Sequence, residues 1–318
     1  MKKYVSKTLG IANRLGAWLV IIVIMLILSF CTNRFLTFDN IINVLRQACV
    51  VSIVALGASF VILGGEIDLS SGMAATFAGC NAAIMVMKMG FPIAPSIILA
   101  VLIGAVMGTL MGYIVTYWKV TSFIATLGVN YIILGLILIT TDSIPISGLP
   151  ENFLMLGRGY LFGIIPVPVI IMLAFFAVGS VVLKYTPFGR SVIAVGENVE
   201  AAKLSGLNVN LTRVLIFTIG GFCAAFAGIV QAARLSSGQP TSGGAELGLQ
   251  GIAAVYIGGT FQGSMLNTLA GSLAWAFVSN GMNLLGVNAY WQNVVLGIVI
   301  IAAVLFNSVR QKAFTAAK

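Results

Sequence analysis

Histidine is absent from this chain of 318 residues, and only 8% of them are Asp, Glu, Lys or Arg, against about 25% in a soluble domain. A surface so poor in charge cannot be wetted over its whole extent, so lipid is the solvent for most of it. No Gly-x-x-x-x-Gly-Lys-Ser/Thr loop occurs, so no phosphate cradle of that type is encoded. The four cysteines, Cys31, Cys49, Cys80 and Cys223, stand apart in apolar runs without metal-ligand spacing and read as small packing residues. No linker or low-complexity stretch divides the chain, so one domain over residues 1–318 is expected.

What is present is apolar sequence: 59% of residues are hydrophobic and the mean hydropathy is +1.08. The net charge is +9, but the basic residues are scattered. They read as charges flanking and orienting membrane helices, and nucleic acid is not an expected partner. Lys2, Lys3, Lys7 and Arg14 precede the apolar run from Gly16 to Phe30, which resembles a signal peptide. The run Leu28-Ser29-Phe30-Cys31 hints at a lipoprotein box, but Phe30 is too large for the residue before its cysteine. The segment is expected to be an uncleaved first span.

A spanning helix needs about 20 mostly apolar residues at about 1.5 Å each. Ten segments qualify: roughly 16–33, 41–64, 70–88, 93–117, 121–141, 161–183, 212–234, 246–260, 265–284 and 288–308. The eighth is short and is expected to begin earlier or to span in part. The fold class is therefore an all-α polytopic membrane protein of about ten transmembrane helices. With the N-terminus inside, Lys2, Lys3, Lys7, Arg14, Lys119, Lys184, Arg190, Lys203, Arg213, Arg310, Lys312 and Lys318 fall on the inner side. Arg34, Arg46, Lys88, Arg158 and Arg234 fall outside, twelve against five. Both termini are then cytoplasmic. The longest outer loop, Asp142–Gly159, lacks helical periodicity; it either covers the outer mouth, receives a partner or is a solvated connection.

Two Gly-Gly pairs mark backbone breaks. Gly64-Gly65 ends an apolar run, and Asp68-Leu69-Ser70-Ser71 can cap the next. By the charge count this acidic stretch, with Glu66 and Asp68, lies at the inner face, as a turn or a contact for a cytoplasmic partner. Gly258-Gly259 repeats the look, a possible echo of an internal repeat. Inside the spans the polar residues are neutral. Asn81, Thr126, Asn130, Gln250, Asn280 and Asn283, with Phe123 and Trp275 as stacking surfaces, are candidates for lining a path for a neutral polyhydroxylated solute. The competing reading is that they tie helices together. Midplane carboxylates and histidines, the usual proton relays, are missing, which disfavours an ion- or proton-driven secondary carrier. The lack of a catalytic cluster disfavours a membrane enzyme.

The longest polar interruption is Lys184–Arg213, KYTPFGRSVIAVGENVEAAKLSGLNVNLTR. Asn198 is a candidate N-cap, Glu200 complements the helix dipole, Ala201-Ala202-Lys203-Leu204 are helix formers and Gly206 is a stop. The spacing predicts a short helix over Val199–Ser205. Such a helix is too short to persist alone, which favours docking on a partner.

Within this segment, GENVEAAKLSGLNV resembles the cytoplasmic coupling segment of the ribose-type permeases, the membrane subunits of bacterial ABC importers for monosaccharides. Further likenesses follow in order: GGEIDLSSG, FIATLG (Phe123–Gly128), ARLSSGQPTSG (Ala233–Gly243), GIAAVYIGGT (Gly251–Thr260) and NGMNLLGVNAYWQ (Asn280–Gln292), spanning about residues 35 to 305. The resemblance implies a ten-helix permease of the type II importer class in the bacterial cytoplasmic membrane. It implies a second permease subunit, identical or paralogous, a cytoplasmic ATPase that binds ATP and magnesium, and an external sugar-binding protein. This chain would bind no cofactor and no metal. Asn198, Glu200, Ala201, Ala202, Lys203, Leu204 and Gly206 would couple to the ATPase. Two places depart from the family: Glu66 stands before Ile67-Asp68, and Phe261–Asn267 carries fewer glycines than usual.

Overall fold

The computed structural model describes residues 18–241, 243–260 and 263–316, leaving aside the side chains of residues 289 and 306–316. Lys2, Lys3, Lys7, Arg14 and Lys318, the side chains of Arg310 and Lys312, and the departure at Phe261 and Gln262 lie outside the described residues. The described chain is mostly helical. Its helices are α1 (Trp18–Cys31), α2 (Phe38–Leu63), α3 (Ser71–Met87), α4 (Ile93–Tyr117), α5 (Ser122–Thr141), α6 (Glu151–Arg158), α7 (Val167–Tyr185), α8 (Pro187–Glu197), α9 (Val199–Leu204), α10 (Val209–Leu235), α11 (Gly244–Gly258), α12 (Met265–Leu284) and α13 (Ala289–Ala316).

Each of the ten apolar segments coincides with one of these helices. Five of them, α2, α4, α5, α7 and α10, are long and apolar enough to cross a membrane. The short eighth segment is α11, which begins at Gly244 and has 15 residues. At the α-helical rise it extends about 22 Å, less than the roughly 30 Å of a hydrocarbon core.

α2 is the mast of the bundle, buried without interruption from Ala48 to Val61. α10 packs along it and along α3 and α4. Against α4 the approach is made by small residues: a Cβ on Gly104, Gly108 or Gly112 would run into Ala225, Phe217 or Val214. With no hydrophobic force between helices in lipid, such close backbone approach supplies the dispersion contacts that hold them. α4, α5 and α7 turn apolar side chains outward, among them Leu110, Ile139 and Val178, as lipid contact requires. Hydroxyl pairs tie α2 to α12: Ser52 to Ser272 at 2.6 Å and Ser59 to Thr268 at 2.8 Å, with Thr268 also 2.8 Å from Thr260.

At one end of the bundle β1 (Ile146–Ser147) pairs antiparallel with β4 (Ser237–Gly238), and β2 (Tyr160–Leu161) with β3 (Ile165–Pro166). Three of the arginines that charge counting assigned to one side meet here. Arg46 Nη2 donates to the Arg158 carbonyl and Arg158 Nε to the Arg234 carbonyl, each at 2.7 Å, and the Arg46 guanidinium stands 4.5 Å from the Tyr160 ring centroid. The loop Asp142–Gly159 is not irregular throughout, as its sequence predicts. It holds α6, whose Phe153 is buried and whose Gly157 sits against the backbone of Arg234. Eight residues are too few to carry a readable period.

Candidate functional site

The opposite end of the bundle carries an elbow made by α8 and α9. α8 has signals that the sequence reading passed over. Thr186 accepts a hydrogen bond from Gly189 N at 3.2 Å as N-cap, and Pro187 occupies the first helical position. Asn198 separates the two helices with an extended backbone and accepts from Ala201 N at 2.9 Å. This is the N-cap expected from the sequence, and α9 ends one residue before the expected boundary.

α9 closes as a Schellman motif. Leu207 N donates to the Ala202 carbonyl at 3.1 Å and Gly206 N to the Lys203 carbonyl at 2.9 Å, with Gly206 at φ +78°. Asn208 then caps α10 by accepting from Leu211 N at 3.0 Å. Val195, Ala202 and Val209 form a small buried core that fixes α8, α9 and α10 together. Ala202 thus supports the elbow from within. Glu200, Ala201, Lys203 and Leu204 face outward, Glu200 and Lys203 paired at 3.0 Å. Leu204 is 90% exposed, an apolar knob on a polar tip.

The elbow rests on the first Gly-Gly break. α2 ends in a second Schellman motif: Glu66 N donates to the Val61 carbonyl and Gly65 N to the Ile62 carbonyl, both at 3.0 Å, with Gly65 at φ +83°. Gly196, in the last turn of α8, lies so close to the Leu63 carbonyl that any Cβ would overlap it. Glu66 Oε1 is 3.2 Å from Arg213 Nε, with side-chain exposures of 11% and 27%. The contact is electrostatic and not a directed hydrogen bond, since Arg213 Nε has no hydrogen-bond partner.

From Glu66 the chain leaves the elbow end. It climbs beside α10, bringing Asp68 next to Gly220, about 10 Å along that helix from Arg213 at 1.5 Å per residue. Irregular backbone at this depth must have its polar groups satisfied by protein. Asp68 Oδ1 accepts from Ser70 N at 2.8 Å and Ser70 Oγ at 2.6 Å. Ser122 and Thr126 on α5 accept from Ile67 N at 3.3 Å and Leu69 N at 3.2 Å.

α3 therefore starts inside the bundle, and so does α11. Gly72 and Gly244 touch backbone to backbone. Thr76 Oγ1 donates to the Gly72 carbonyl at 3.1 Å and accepts from Gly244 N at 3.2 Å. From this meeting of two helix N-termini, α3 runs toward β1 and β4, where Cys80 and Ala83 pack on Gly238. α11 runs toward the elbow end, where Gly258 abuts the Asn267 carbonyl. Gly259, at φ +65°, ends α11 as the second break was expected to. Beside the junction Thr76, Gln231, Ser237 and Gln239 surround a void of about 10 Å³. Discontinuous helices with N-termini meeting at depth mark the centre of many transporters. The glycine-rich stretches at 64–72 and 236–244 were the sequence signal for this centre, and Gln231 and Gln239 were not singled out.

The candidate path residues are spread over α3, α5, α11 and α12. Thr126 and Asn130 lie on one buried stripe of α5 with Ser122, and Asn130 Oδ1 is buried without a hydrogen-bond partner. Phe123 is half exposed, Trp275 is buried in the core, and Asn81 Nδ2 bonds the Phe77 carbonyl at 2.8 Å. Gln250 donates to Glu246 at 2.9 Å. Asn280 and Asn40 exchange two amide hydrogen bonds at 2.9 and 3.0 Å, and Asn283 accepts from Gln292 at 2.7 Å. In these contacts the polar groups of Asn280 and Asn283 tie helices together. Among the described residues no group of three or more His, Cys, Asp or Glu could hold a metal ion.

A multi-pass helical bundle with a capped elbow at one end and broken helices at its centre is the architecture of a membrane permease. The chain belongs to the family described as branched-chain amino acid transport system / permease component, whose model matches residues 40–304. It is 41% identical over 297 residues to the ribose import permease protein RbsC of Haemophilus influenzae, covering 91% of each chain. It is 31% identical to the xylose transport system permease protein XylH of the same organism, covering 92% of this chain and 96% of that protein. To the galactose/methyl galactoside import permease protein MglC of Escherichia coli it is 33% identical, covering 93% and 94%. No solved structure matches the chain.

Proposed function

We propose that this chain is the membrane-spanning subunit of an ATP-driven importer that moves a monosaccharide across the bacterial cytoplasmic membrane by alternating access. The relatives named for ribose, xylose and galactose support the substrate class. The observation that carries the mechanism is α9: a six-residue helix, capped at both ends, with Leu204 uncovered at its tip. A helix that short is held in shape for a partner's groove.

In this reading residues 1–318 form one permease domain of ten spans with both termini cytoplasmic, and 184–213 is its coupling segment. Two such subunits meet to form the path. A cytoplasmic ATPase, which carries the ATP and magnesium, receives α9, and an external sugar-binding protein delivers the substrate. Movement of α9 passes through the Val195–Ala202–Val209 core to α8. Gly196 then presses on the end of α2, and Glu66 with Arg213 ties α10 to the same break. The break leads to the start of α3 and to Ser122 and Thr126 of α5. The test is uptake of labelled ribose, xylose and galactose into vesicles holding the permease, its ATPase and its binding protein. Uptake that requires ATP and all three components is expected. Uptake driven by an ion gradient without the ATPase overturns the proposal.

A further inference from the structure

A cavity of about 740 Å³ opens beside the elbow, between the end of α7, the start of α8, the start of α12 and Trp18 of α1. Its volume is that of a small-molecule site. Its polar lining is Lys184, Arg190, Ser264 and Asn267. No carboxylate is among its described lining residues, and the two ion pairs among the described residues, Glu200–Lys203 and Glu66–Arg213, leave Lys184 and Arg190 without an acidic partner. Asn267 is 4% exposed, so the cavity reaches a buried amide as well as the exposed cations. The remaining lining is largely apolar, with Val181, Ile193 and Met265, and includes Trp18 and Tyr185.

Lys184 Nζ stands 5.1 Å from the Tyr185 ring centroid, and two cations without a carboxylate partner beside an apolar wall fit an amphiphile with a negative head. Aromatic residues of this kind favour the membrane–water boundary, and Lys184 is in the last turn of a helix long enough to cross the membrane. We infer that this cavity is a binding site for the phosphate headgroup of an anionic phospholipid, its acyl chains lying along the exposed face of α7. The inference rests on the reading of the elbow end as cytoplasmic, where anionic lipids supply such headgroups. A lipid held there bridges the joint between α7 and α8, one helix before α9.

Native mass spectrometry of the purified permease in detergent tests this, with phosphatidylglycerol, phosphatidylcholine and inorganic phosphate as the added probes. One phosphatidylglycerol retained per chain in preference to phosphatidylcholine is expected. Lys184→Gln and Arg190→Gln should each weaken that retention about fivefold, from roughly 1 kcal/mol per basic residue near an anionic surface. Ser264→Glu supplies a carboxylate to the lining and should remove the preference with both cations in place, so a folding defect in one variant does not decide the matter. Lys88→Gln, at the far end of the bundle, should change nothing. Equal retention of the two lipids, or phosphatidylglycerol binding unmoved by all three lining variants, overturns the inference. Competition by inorganic phosphate as potent as that by phosphatidylglycerol makes the ligand a free phosphate and overturns the lipid assignment. The readout needs neither sugar nor ATPase, so its failure is separate from failure of the transport reading.

Discussion

Gly206 is the residue on which the shape of α9 turns. Its φ of +78° is left-handed, and nothing lies within 4 Å of where a Cβ would stand. A substitution there acts through the backbone alone. Alanine in that conformation costs about 1 kcal/mol. Proline cannot adopt it and removes the N–H that bonds Lys203. Gly206→Pro is expected to leave the membrane bundle folded while cutting the sugar moved per ATP hydrolysed at least fivefold, measured as paired uptake and phosphate release in reconstituted vesicles. Glu200→Ala removes an exposed ion pair worth a few tenths of a kcal/mol. It should shift thermal unfolding little and still lower the same ratio. Wild-type coupling in Gly206→Pro would remove α9 from the mechanism.

At the scale of elements, the proposed coupling needs the elbow tied to the bundle, and the Glu66–Arg213 pair is one tie beside the contact of Gly196 with Leu63. That pair is more enclosed than a surface salt bridge, worth about 0–1 kcal/mol, and less so than a buried one, whose breaking costs about 3–5 kcal/mol. Glu66→Gln is expected to destabilise by about 1–2 kcal/mol in thermal unfolding and to reduce coupling. Exchange of the two charges, Glu66→Arg with Arg213→Glu, should recover part of both; recovery of neither would mean that the pair is incidental. This element also shows what a sequence can reveal. The caps at Asn198 and Gly206 bond within four residues, so their chemistry is readable in the string. The helical stop at Gly64-Gly65 is readable for the same reason. The depth of Asp68 is not, because it is set by α10, some 150 residues further on. Thr126, picked as a path residue, takes Leu69 N, a contact that no spacing foretells. The α8 signals, Thr186 and Pro187, were legible and were hidden only by the polar composition around them.

For the whole molecule the open quantity is the number of crossings, and the structure makes it a question about α3 and α11. Lys88 follows α3 and Lys203 lies on α9. Between them stand α4, α5 and α7, three helices long and apolar enough to cross. If all three cross, the odd number puts the two lysines on opposite faces whatever happens elsewhere. Cys49, Cys80 and Cys223 are buried and only Cys31 is exposed, so Cys31→Ser leaves a quiet background for labelling. A membrane-impermeant maleimide on intact cells should label Lys88→Cys and spare Lys203→Cys, and inverted vesicles should reverse this. Lys312→Cys carries the harder question. Four helices, α10 to α13, separate it from α9, and α11 is too short to cross unaided. Its start meets that of α3 inside the bundle, and the chain between β4 and α11 leads inward from Gly238, beside Cys80, to Gly244, beside Gly72. If that lead-in and α11 together make one crossing, Lys312→Cys is labelled from the same face as Lys203→Cys. Labelling from the opposite face would leave α11 a re-entrant element, reduce the spans to nine, and spoil the charge bias that placed the elbow in the cytoplasm.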